Sequence, residues 1–202
     1  MRTFLAIELP EQLHPIIRRQ QQHLAGRLAI GNSIIRWTPP ANVHLTLRFL
    51  GETAKEQQRI LPHFLDVATQ GQPPIALALR NVGCFPNFRS PSIVWAGVTG
   101  DLDRLQALYA QVEKAVQSAG FVAEQRAFRP HLTIGRIQRH TERHQLQQVG
   151  RVIQAYQQEN AQSPLYEAGS QFTVSEITWF SSELRPTGAI YTPIGGFPLA
   201  AP

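Results

Sequence analysis

Hydrophobic positions along this chain change period several times, and each change predicts an element. Residues 3–9 form an apolar run of strand length, after which Pro10 opens a helical pattern with Leu13, Ile16, Ile17 and Leu24 on one face. Residues 43–50 alternate and stop at Gly51. Thr53 with Glu56 then reads as a capping box opening a helix that carries Ile60, Phe64 and Val67. Residues 75–79 and 93–98 read as strands joined by a long turn of Pro, Asn and Gly over 83–91. A helix follows, with Asp101 as N-cap, Leu105, Leu108, Val112 and Val116 at helical spacing, and Gly120 in the left-handed capping position. Residues 131–137 predict a strand, 145–158 a polar helix, and 172–180 and 189–192 two more strands. The interval 138–163, rich in Gln and Arg and without a long apolar face, reads as a surface excursion between core strands.

Helices scattered among strands without a strict βαβ rhythm predict an α+β fold with mainly antiparallel pairing. At 202 residues, 43% hydrophobic and 16% charged, the chain has the composition of a folded globular protein, expected as a single domain over 1–202. Its one cysteine, Cys84, allows neither an intrachain disulfide nor a cysteine-based zinc site. Together with an N-terminus lacking a signal-like apolar region and with no membrane-length stretch, this leads us to expect a cytoplasmic protein.

Charge sharpens the choice of partner. The formal net charge is +5, and all but Lys55 and Lys114 of the 19 basic residues are arginine, whose planar fork matches phosphate oxygens. Anionic partners are favoured, although surface solubilisation accounts for many such arginines equally well.

One pattern carries chemistry. His44-Leu45-Thr46-Leu47 and His131-Leu132-Thr133-Ile134 both read His, apolar, Thr, apolar inside a strand-like segment. With seven histidines in the chain, a random sequence of this composition would hold about 0.08 such tetrapeptides. On a strand, His and Thr at i and i+2 face one side while the apolar residues face the other. Two such strands face to face supply a neutral imidazole to deprotonate water, an imidazolium to protonate a leaving oxygen, and two hydroxyls for the non-bridging oxygens of a phosphate. The sequence offers no metal-binding motif such as HExxH or a cysteine cluster, so neither a metal nor a cofactor is expected. Strict alternation also places Arg48 on the face of His44 and Thr46, as a candidate substrate contact or as a side chain snorkelling to solvent, and Phe49 on the core face. Arg129, held extended before Pro130, is a further candidate beside the site. His14, His23, His63, His140 and His144 are assigned no chemistry.

These motifs and their flanks resemble the two-histidine (2H) phosphoesterase superfamily and, within it, the RNA 2′,3′-cyclic phosphodiesterases, historically called 2′-5′ RNA ligases. The resemblance rests on Phe4-Leu5-Ala6-Ile7-Glu8-Leu9-Pro10, the run from His44 to Glu52, Trp95-Ala96-Gly97-Val98, the run from Phe128 to Arg136, and Tyr191-Thr192-Pro193. It implies a bilobal fold: two similar antiparallel-sheet lobes with outer helices around a central cleft, one motif from each lobe. It implies His44 as proton donor, His131 as proton acceptor, Arg136 as a phosphate-binding residue, and a 2′-phosphomonoester product. The expected partners are RNA ends or cyclic nucleotides, with no membrane, and the chain is expected to act as a monomer. Related cyclic or 2′,5′-linked nucleotides, with ligation as the reverse reaction, share the same site, and a non-catalytic RNA-end binding module needs only the basic cleft.

Overall fold

Every strand pairing is antiparallel, and the strands join into one curled sheet. The computed structural model describes residues 1–28, 34–160, 169–185 and 188–199; the tail of the polar interval, 161–163, lies outside them. In chain order the elements are β1 (Arg2–Glu8), α1 (His14–Arg27), β2 (Ile35–Trp37), β3 (His44–Glu52), α2 (Lys55–Thr69), β4 (Ile75–Phe85), β5 (Ile93–Gly100), α3 (Leu102–Ser118), β6 (His131–Ile137), α4 (Arg143–Glu159), β7 (Gln171–Val174), β8 (Glu176–Arg185) and β9 (Gly188–Pro198). The strand order is β7-β4-β5-β6-β3-β1-β8-β9, with β2 added on β6. This is the α+β arrangement that the periodicity predicts.

The middle of the sheet makes the cleft. β3 and β6 pair at a single position, Leu45 with Leu132, and β2 takes over the remaining length of β6. Two lobes therefore meet at one shared point: β3, β1, β8 and β9 on one side, and β6, β5, β4 and β7 on the other. The helices cover one face, where Leu45, Leu132, Ile134, Leu61, Leu65, Leu108 and Ile153 belong to one buried core. On the opposite face Phe4, Ala6 and Phe180 form a small separate cluster against Tyr191.

Local expectations fail where tertiary contacts take over. Thr53 is buried and shares a 2.6 Å hydrogen bond with Thr3, while the backbone N–H of Ala54 donates to Gln57 at the helix start. β4 runs on to Phe85, three residues into the expected turn, because it pairs with β5 from Leu77 to Phe85. The expected strand over 172–180 divides between β7 and β8, which pair with different partners. Val67 is exposed on α2 instead of completing its apolar face. α4 buries Val149, Ile153 and Tyr156 in the core, so the polar excursion does carry an apolar face. Its Gly150 lies so close to the Phe88 carbonyl that a β-carbon would come within 1.7 Å of the oxygen. None of the helices among the described residues is long and apolar enough to cross a membrane.

Candidate active site

The two motif strands share an irregularity that alternation does not anticipate. On β3, Thr46 pairs with Ala6 and Arg48 with Leu5, leaving Leu47 as the extra residue of a bulge. On β6, Thr133 pairs with Trp95 and Gly135 with Val94, leaving Ile134 extra at the same distance from its histidine. A bulge turns two successive residues toward one face and restores alternation with inverted parity beyond it. His44, Thr46, His131 and Thr133 therefore line the cleft face as the pattern predicts, but the residues that follow each bulge are reversed, on β3 as far as a second irregularity at Leu50.

Arg48 and Phe49 exchange places as a result. Arg48 is paired with the core residue Leu5 and lies under α3, 2.9 Å from the Glu113 carboxylate and 3.4 Å from that of Glu124; it also donates to the Val122 carbonyl. Its side chain is 11% exposed. It is therefore neither a substrate contact nor a residue snorkelling to solvent, and its removal from the cleft face corrects the alternation argument. Phe49, expected in the core, pairs with Phe4 on the cleft face and is 54% exposed. In the other lobe Gly135 takes the inward position, where a β-carbon would lie 2.8 Å from Ile35 and 3.0 Å from the Trp37 ring. Arg136 takes the outward one. Nothing in the sequence signals either bulge, so Phe49 is a cleft residue that sequence reasoning misses.

Both histidines are fixed in the same way. His44 Nδ1 lies 2.8 Å from the carbonyl oxygen of Asn42, and His131 Nδ1 lies 2.6 Å from that of Arg129, each two residues upstream. An Nδ1–H donated to a carbonyl leaves Nε2 as the nitrogen free to exchange a proton. Arg129 is thus present at the site through its backbone, with its side chain exposed. No sequence signal marks these carbonyls, since every residue carries one.

The surroundings set the protonation balance. Burial lowers the pKa of His44 below the usual imidazole value; the Asn42 carbonyl opposes this, and the charges of Arg136 and His131 add to the lowering. His131 is also lowered, first by burial and also by Arg136, against the Arg129 carbonyl. Arg136 therefore acts electrostatically on both imidazoles. Aromatic rings hold them in place: Phe4 stacks on His44 at 4.9 Å with Tyr191 perpendicular at 5.2 Å, and Phe85 meets His131 edgewise at 4.9 Å. Among the described residues no group of three or more His, Cys, Asp or Glu is placed to hold a metal ion.

Comparison with known proteins agrees with this architecture. Residues 32–183 match the model of the 2′-5′ RNA ligase superfamily. The chain is 30% identical to an RNA 2′,3′-cyclic phosphodiesterase of Methanothermobacter thermautotrophicus over 98% of its own length and 99% of the relative's. It is also 30% identical to the protein of that name from Thermotoga maritima, over 95% and 91% of the two chains. Among solved structures, TT0787 of Thermus thermophilus superposes with a TM-score of 0.72 at 25% identity, covering 98% of both chains. LigT of E. coli complexed with 3′-AMP superposes with a TM-score of 0.69 at 25% identity, over 98% of this chain and 97% of LigT. Nearly full-length similarity and two matching histidine motifs on one curled sheet lead to one assignment: the chain belongs to the 2H phosphoesterases, in the RNA 2′,3′-cyclic phosphodiesterase family of the 2′-5′ RNA ligase superfamily.

Proposed function

We propose that this protein hydrolyses the 2′,3′-cyclic phosphate at an RNA end to a 2′-phosphomonoester by general acid-base catalysis between His44 and His131. The observation that carries this reading is the matched pair of Nδ1–carbonyl hydrogen bonds, 2.8 and 2.6 Å, which leaves an Nε2 of each histidine for proton transfer. Neutral His131 takes a proton from water through Nε2 as the water oxygen bonds to phosphorus. The bond from phosphorus to the 3′ oxygen breaks, and His44, entering as imidazolium, gives its Nε2 proton to that oxygen. Thr46 and Thr133 donate hydrogen bonds to the non-bridging oxygens, and Arg136 balances their charge. The exposed ring of Phe49 offers a face on which the terminal base stacks.

The similarity of the relatives' names supports the substrate class, and the role of each histidine follows from the family resemblance. The deciding experiment presents the purified protein with cyclic-phosphate, 2′,5′-linked and 3′,5′-linked oligonucleotides in excess chelator and identifies the product isomer. Exclusive formation of 2′-phosphate ends is expected. Activity that disappears in chelator and returns with zinc would replace the two-histidine mechanism with a metal-bound water.

A further inference from the structure

The sheet beside one histidine differs from the sheet beside the other. In register with His44 stands Glu8, whose carboxylate accepts a 2.9 Å hydrogen bond from Thr178. Glu176 follows on the same face, two residues before Thr178. In register with His131 stands Gly97, and in register with Gly97 stands Arg80. Directly paired residues share a face, so Arg80 lies on the cleft face two strands from His131, at about 10 Å. Gly97 itself carries no side chain, and none fits: a β-carbon there would come 2.6 Å from the Arg80 carbonyl oxygen and 3.4 Å from the edge of the Trp95 ring, which lies beside it on the same face. The neighbouring pair on that face, Thr99 with Ala78, is small and uncharged. Arg80 is exposed and makes no hydrogen bond or ion pair among the described residues. Arg48, Arg59, Arg126 and Arg185, by contrast, each hold a carboxylate.

We propose that Arg80 is a second phosphate site, which binds the internal phosphodiester adjoining the RNA end, so that the strand leaves the cleft across β5 and β4. The inference rests on the function proposed above. An anionic backbone passing over Gly97, along the edge of the Trp95 ring, meets no opposing charge and reaches a guanidinium that engages two non-bridging oxygens. The opposite route, across β1 and β8, meets the carboxylates of Glu8 and Glu176, which repel it.

The test compares two ligands in direct binding: a trinucleotide with a 2′-phosphate end, and a nucleoside 2′-phosphate with a free 5′-hydroxyl. Both fill the catalytic phosphate position, but only the first carries an internal phosphate. Arg80→Gln is expected to weaken the trinucleotide about tenfold and the mononucleotide less than about twofold, and to reduce the salt slope for the trinucleotide by about 0.7. Arg80→Lys should fall between. Arg104→Gln, which removes the same charge from an exposed position on α3, should leave both affinities unchanged. Equal weakening of the two ligands by Arg80→Gln, undiminished trinucleotide binding, or the same loss in Arg104→Gln overturns the proposal. Binding is read without turnover, so a wild-type protein that hydrolyses no cyclic end would refute the proposed reaction while these affinities still judge Arg80.

Discussion

The two lobes build one device and furnish it differently. Each places a histidine on a strand, ties its Nδ1 to the carbonyl two residues back, and inserts a bulge after the threonine. Beyond the bulge the first lobe offers the ring of Phe49 and the second the guanidinium of Arg136. Beside the histidine the first lobe has Glu8 and the second Gly97. Among the described residues His44 has the rings of Phe4, Tyr191 and, farther off, Phe180 about it, and His131 that of Phe85. A symmetric frame thus supplies the two proton-transfer groups, and its asymmetric furnishing gives them unlike environments, which is what a reaction needing one acid and one base requires.

The strongest way to break this comparison is to remove each histidine in turn. His44→Ala and His131→Ala should each lower turnover by about 10² to 10⁴, with the double variant little worse than the worse single one. Steady-state rates on a cyclic-phosphate end, with folding checked by circular dichroism, decide it; near-normal activity in either single variant would sink the mechanism. Thr46→Val and Thr133→Val keep the shape and remove the hydroxyl. A loss of about 10² in turnover is expected for at least one of them, and full activity in both would make the hydroxyls structural.

Arg136 tests the electrostatic half of the comparison. Its charge lowers the pKa of both histidines, so Arg136→Gln should raise both and shift both limbs of the bell-shaped kcat/KM profile toward higher pH. In the wild-type protein both shifts are downward, which places the acidic limb below about pH 6.5, the unperturbed imidazole value. The limbs belong to the coupled pair rather than to either histidine alone. An unmoved profile in the variant would show that Arg136 does not reach the pair.

Phe49→Ala should weaken binding of a nucleotide end by about tenfold, the scale of one base-stacking contact. Arg48→Met supplies the contrast and the smallest effect on activity. Its loss leaves Glu113 and Glu124 without their shared cation under α3 and should cost about 3 kcal/mol in urea unfolding, while activity changes by less than about threefold. A large loss of activity with intact stability would return Arg48 to the cleft.

What the sequence determined by itself is local and repetitive. Chemistry written in side chains at fixed spacing, such as the two His-x-Thr pairs, survives any arrangement that keeps the residues on strands. The helical faces of Leu105, Leu108, Val112 and Val116 are legible for the same reason, and all four are buried. Tertiary structure alone decided what depends on partner strands: the bulges that send Arg48 inward and Phe49 and Arg136 outward, the meeting of β3 and β6 at Leu45 and Leu132, and the line from His131 through Gly97 to Arg80. A bulge is a property of two strands in register, and one residue of slip reverses every side chain beyond it. Alternation along one strand therefore fixed the faces up to each threonine, and only pairing with β1 and β5 fixed them afterwards.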